Sequence, residues 1–130
     1  MGGVAPGRVS LYYIDQYNMS SLTRQRYHIL LALSGGDRHG SAIVRVVLEQ
    51  TDGELHLWPA TLYGTLELLS QDGLIEELGE SSRPPGESER RRYYRMTPQG
   101  ARALETHTEH MASLVKTARQ NLRRRAGETS

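Results

Sequence analysis

The 130-residue chain is 37% hydrophobic and 24% charged, which suits one folded domain with a modest core and excludes a disordered tract. It has no cysteine, which excludes disulfides, thiol chemistry and cysteine-based metal sites. A formal net charge of +1 gives no argument for an anionic partner by itself, so the placing of the charge has to carry one.

No apolar run approaches the roughly 20 residues of a membrane span, and no basic segment followed by an apolar core opens the chain. The expectation is a cytoplasmic protein with no membrane partner. With no Phe and one Trp, the core has to be built from Leu, Val, Ile and Tyr. Residues 1–20 read as an arm: Gly2, Gly3, Pro6 and Gly7 give a flexible start, then Tyr12, Tyr13, Ile14 and Tyr17 bring surface that packs on the domain or on a partner subunit.

Ser21 or Thr23 caps a helix that runs to about Ser34, with Tyr27, Leu30, Leu31 and Leu33 on its apolar side. Gly35-Gly36-Asp37-Arg38 breaks it. His39-Gly40-Ser41 opens a second helix to about Gln50, with Ile43, Val46, Val47 and Leu48 inward and His39 bonding a backbone group at its start. Asp52-Gly53 is a turn, and Leu55 to Leu57 is a short strand or an extended linker.

The third helix, Pro59 to Gly73, has both ends marked: Pro59 suits a first turn and Gly73 the left-handed residue past the last one. Leu62, Leu66 and Leu69 make its buried stripe. The opposite side, with Ala60, Thr61, Tyr63, Gly64 and Glu67, has little relief, as a helix entering a DNA major groove requires. Leu74 to Leu78 and Arg92 to Met96 read as two strands joined by the Ser-, Pro- and Gly-rich stretch 79–89. Thr97 and Pro98 start the longest helix, to about Arg125, and residues 127–130 fray.

Three helices, a β-hairpin and a long helix define the fold class: mainly α with a small β-hairpin, a winged helix-turn-helix carrying a long C-terminal helix. The predicted division is an arm at 1–20, a DNA-binding domain at 21–97 and a dimerisation helix at 98–126.

The same positions resemble the PadR family of transcriptional regulators. Pro59-Ala60-Thr61-Leu62-Tyr63 is similar to the family's P-G-T-L-Y, with Ala60 where Gly is usual. Arg92-Tyr93-Tyr94 and Thr97-Pro98-Gln99-Gly100 resemble its R-x-Y-Y-x-L-T-x-x-G, and His39-Gly40 and Gly73-Leu74-Ile75 fall in the expected order. The likeness covers about 27–104. It implies a dimeric DNA-binding repressor that answers to a small aromatic or drug-like effector. The first twenty residues lie outside it, and the third helix lacks the basic residue that many members carry there.

On this reading Pro59, Thr61, Tyr63 and Gly64 face the groove of double-stranded DNA. Gly64 weakens the helix by roughly 1 kcal/mol against Ala, which close approach to a backbone or a crowded packing site would explain. From Val46 to Ser82 there is no Lys or Arg, so Arg90, Arg91, Arg92 and Arg95 of the hairpin, with Arg24, Arg26 and Arg38, have to hold phosphate. Strand alternation puts Arg91, Tyr93 and Arg95 on one face and Arg92 with Tyr94 on the other. Glutamates near them, Glu76 and Glu77 included, are possible ion-pair partners.

Trp58, Tyr93 and Met111, with the N-terminal tyrosines, are candidate effector contacts. Leu104, His107, Met111, Leu114, Ala118 and Leu122 follow an a/d pattern that suits a homodimer seam or packing on the first helix, or both. No catalytic order, phosphate loop or metal-ligand set stands out, so no enzyme, cofactor or metal is expected. His107 and His110 lie three apart with no companion ligand. The other reading is a winged-helix protein-interaction or ligand-sensing module that does not read DNA, suggested by the absence of any basic residue from the groove-facing helix.

Overall fold

A computed structural model describes residues 22–79 and 91–129. The expected N-terminal arm, Arg90 and the hairpin tip lie outside these residues. The elements in chain order are α1 (Arg24–Ser34), β1 (Arg38–His39), α2 (Gly40–Gln50), α3 (Pro59–Gln71), β2 (Ile75–Glu77), β3 (Tyr93–Met96) and α4 (Pro98–Thr129). Thr23 is the cap of α1, its side chain accepting from the Arg26 N–H. The His39 imidazole does the same for α2, accepting from the Ala42 N–H at 3.3 Å.

The three strands form one antiparallel sheet in the order β1-β3-β2, with His39 opposite Tyr93 and Glu77 opposite Tyr94. The sequence reading had a two-stranded hairpin. The third strand is two residues long, too short to show alternation, and it lies in a segment that reads as a turn because of Gly35 and Gly36.

The core lies where the first three helices meet the sheet. Ile29, Leu30, Ile43, Val47, Leu66, Leu69 and Ile75 are fully buried in it. Leu57 is buried as well, which fixes the segment before α3 as an extended linker anchored by one side chain. Leu31, Val46 and Leu48 are only half-buried, while Ile29, Ala32 and Ala42 take core positions. The stripe of α1 thus keeps Leu30 and Leu33, with Tyr27 packed beside it, and takes in Ile29 and Ala32 in place of Leu31.

The end of α3 and the start of α4 share a joint. Gly73 has φ +76, a conformation that favours glycine, and lets the Leu74 N–H reach back to the Leu69 carbonyl at 2.9 Å. The Thr97 hydroxyl donates to the Gly73 carbonyl at 2.6 Å and accepts from the Gly100 N–H at 3.0 Å. A Cβ on Gly100 would collide with the Leu74 carbonyl. The orientation of α3 is therefore tied to the first turn of α4.

Helix α4 has 32 residues, about 48 Å at the α-helical rise. It continues past Arg125, since Gly127 alone does not break it, and Gly127 to Thr129 are helical where the sequence suggested fraying. Its first turns pack on α1. Leu22 donates its N–H to His107 Nδ1 at 2.9 Å, and the Tyr27 and Thr108 hydroxyls meet at 2.9 Å. Ala103 is buried and Leu104 packs against the core. From Ala112 to Glu128 every side chain is exposed, including Leu114 at 55%, Val115 at 49% and Leu122 at 65%. Among the described residues, no helix is long and apolar enough to cross a membrane.

Candidate nucleic-acid interface

Helix α3 presents the surface that its sequence suggested. Leu62, Leu66 and Leu69 point inward, and Pro59, Ala60, Thr61, Gly64 and Glu67 are exposed. A Cβ built on Gly64 meets nothing within 4 Å. Internal crowding is thereby removed as the reason for this glycine, because the space outside it is open.

Tyr63 is 46% exposed and has two roles in the geometry. Its ring covers Gly40 at the start of α2, where a Cβ would lie 2.7 Å from the Tyr63 hydroxyl. Gly40 thus allows α2 and α3 to approach closely. The same hydroxyl faces a groove lined by His39, Gly40, Ser41, Arg91 and Arg92. This groove joins the N-terminal turn of α2, a surface hydroxyl, a phenol and two guanidinium groups. Backbone N–H groups at a helix start favour negative charge, and arginines add the fork that fits phosphate oxygens. The sequence had named Tyr63, Arg91 and Arg92. It missed Ser41, for which the opening of α2 was the available signal.

A second groove, about 430 Å³, runs between α3 and the sheet, lined by Tyr63, Leu66, Glu67, Ser70, Glu77, Arg92 and Tyr94. Arg92 lies across the division between the two grooves. It donates to both carboxylate oxygens of Glu77, at 2.8 and 3.1 Å. The hydrogen bond to Glu77 raises its pKa, helped by the nearby Tyr94 and Glu77 charges, so the guanidinium stays charged. Burial raises the Tyr94 phenol. Arg91 stands 3.3 Å from His39 Nε2, and the Tyr93 ring meets the His39 ring edge-on at 5.3 Å. Tyr93 and Tyr94 are both buried, because elements cover the strand on both faces.

Four other arginines of the domain are engaged within the fold, while Arg45 on α2 is exposed. Arg38 donates Nε to the Ala32 carbonyl at the end of α1. Arg95 pairs with Asp37 at 2.9 Å, Arg26 with Asp72 at 3.3 Å and Arg24 with Glu54 at 3.8 Å. The three candidate effector contacts do not converge: Tyr93 is buried in the sheet, Trp58 is 65% exposed and stacked on His56, and Met111 is half-buried on α4. Neither groove described above is lined by any of them.

A helix pair with an exposed third helix, followed by a sheet that carries arginines to its flank, is a winged helix-turn-helix. Residues 29–106 match the transcriptional regulator PadR-like family, and the chain belongs to that family. It is a transcriptional regulator rather than an enzyme. A transcriptional regulator from Clostridium thermocellum is 25% identical, with a TM-score of 0.61 over 90% of this chain and 96% of its own. A PadR family regulator from Clostridium difficile gives 24% identity and a TM-score of 0.62 over 77% and 99%. RosR of H. salinarum gives 24% and 0.59 over 82% and 96%. No curated protein sequence matches the chain.

Proposed function

We propose that the protein is an effector-responsive repressor that binds double-stranded DNA as a homodimer in the cytoplasm. The observation that carries this reading is the continuity of one surface. The low-relief face of α3 runs through Tyr63 into a groove formed by the start of α2, Arg91 and Arg92. Thr61 and Gly64 face the base edges and Pro59 lets the helix begin at the groove wall. Arg90, Arg91 and Arg92 grip phosphate. Arg38 acts on this surface indirectly, by holding the end of α1.

The domain at 21–97 reads DNA, and the helix at 98–126 joins the two copies through Leu104, Met111, Leu114, Ala118 and Leu122. The exposed apolar length of α4 supports this, since Leu114, Val115 and Leu122 follow one another along the helix with no other element covering them among the described residues. Val115 belongs to the same stripe. A two-fold dimer suits two half-sites about one helical turn apart. A small aromatic effector acts by changing the spacing of the two α3 helices, which the α4 joint at Thr97 would transmit.

The test is a mobility-shift titration of the full chain against the DNA upstream of its own gene. Salt-sensitive binding is expected, weakened by Thr61→Ala and by Tyr63→Ala. Absence of binding, or variants equal to the parent, overturns the reading. It would leave the interaction module, which the absence of Lys and Arg from α3 favours.

A further inference from the structure

We propose that Glu67 is a specificity-determining residue that reads the amino group of cytosine in the major groove. The proposal rests on the DNA-binding reading above. Ala60, Gly64, Glu67 and Gln71 are exposed at spacings of four, three and four, so they form one line along α3, opposite the buried leucines. The first two carry a methyl group or no side chain, and the space outward of Gly64 is open. The helix can therefore lie close to the floor of a groove. Glu67 is then the first long side chain along that line to reach it.

The carboxylate is not used to hold the fold. Glu77, Asp37 and Asp72 each pair with an arginine, whereas none of the ion pairs among the described residues uses Glu67. Glu67 shares its groove with Arg92 and with Glu77, which is already bonded to that arginine, so the Glu67 carboxylate is the one left available to a ligand there. No Lys or Arg is present on α3 to read guanine.

The chemistry selects one base. A carboxylate only accepts hydrogen bonds. In the major groove, guanine offers two acceptors, thymine an acceptor and a methyl, and adenine a donor next to an acceptor. Cytosine offers its N4 amino donor without an adjacent N7, which is the match for Glu67.

The experiment is selection of duplexes from a random library by the full chain, by Glu67→Gln and by Glu67→Ala. The parent is expected to fix a cytosine at one position of each half-site, by roughly tenfold over other bases. Glu67→Gln should move that position alone to adenine, and Glu67→Ala should flatten it. Unchanged profiles overturn the proposal, as does an equal gain in affinity for all sequences, which would mean simple loss of repulsion. If Thr61→Ala and Tyr63→Ala still alter the parent's selected site, the DNA-binding reading survives that failure. If the parent selects no sequence at all, both fall.

Discussion

Replacing Gly64 by Ala should make the protein more stable and a worse DNA binder. Gly64 lies in the middle of a 13-residue helix with an exposed outer face. Glycine there costs about 1 kcal/mol relative to alanine, through backbone freedom lost on folding. Nothing within 4 Å would meet the added methyl, so no steric term offsets the gain. For a chain of this size about 1 kcal/mol raises Tm by roughly 3–5 °C. The same methyl projects from the face of α3 that approaches DNA, and the loss of one close contact weakens binding on the order of tenfold. Thermal unfolding by circular dichroism reads the first effect and anisotropy of a labelled operator duplex the second. Gly64→Gln should bind more weakly still. A stabilised Gly64→Ala that binds DNA as tightly as the parent, with Gly64→Gln equal to it, refutes a close approach at this position.

The hairpin arginines should govern affinity with little effect on folding. Arg91→Glu with Arg92→Glu should abolish DNA binding, whereas Glu77→Gln should tighten it several-fold by releasing Arg92. The exposed pair itself is worth about 0–1 kcal/mol to stability, and a denaturation midpoint close to the parent's checks that. Leu114→Glu with Leu122→Glu should yield monomers in sedimentation velocity and abolish operator binding, since both leucines are more than half exposed on the proposed seam. His28 should make the fold sensitive to acid. Burial, and then the charge of Arg24, lower its pKa from the ordinary 6.5. The unfolded chain then takes the proton more readily, so stability falls as pH drops through that value and levels off once the folded histidine is protonated too. Protonation also removes the Nδ1 acceptor of the Gln50 amide. Urea midpoints at about pH 8 and about pH 5.5 should differ less in His28→Gln than in the parent.

The elements that show in the sequence are those with repeated local signals. Leu62, Leu66 and Leu69 repeat at helical spacing, Pro59 and Gly73 mark the ends, and α3 follows almost to the residue. Thr97-Pro98 fixes the start of α4 in the same way. What the sequence hides depends on contacts between distant segments. Two residues of β1 pair with β3 across more than fifty positions, and no local pattern announces them. The pairing of Arg92 with Glu77 was foreseen as a possibility, but that of Arg95 with Asp37 requires β1 to be known first. Gly40 reads as a helix-start residue, while its structural reason is the Tyr63 ring on the next helix. The candidate site was therefore legible on α3, where one helix carries it, and incomplete at the groove, where three segments meet.

The ion pairs also bound how the protein holds DNA. Arg24, Arg26 and Arg95 are each paired with a carboxylate, and Arg38 is bonded to a carbonyl. Two arginines per subunit, Arg91 and Arg92, line the groove at the start of α2, which makes four in a dimer once Arg92 exchanges Glu77 for phosphate. With Arg90 of each subunit the total is six. At about 0.9 counterions released per neutralised phosphate, the slope of log affinity against log salt should lie between roughly −3.6 and roughly −5.4. Binding titrations at four or more salt concentrations measure it. A slope near −9 would mean that further cations reach the duplex, with the exposed Arg45 of α2 and the basic end of α4 as their sources. A slope within the range means that phosphate contributes only a modest share of the affinity. The face of α3, free of Lys and Arg, must then supply more of the discrimination between sequences than a basic helix would.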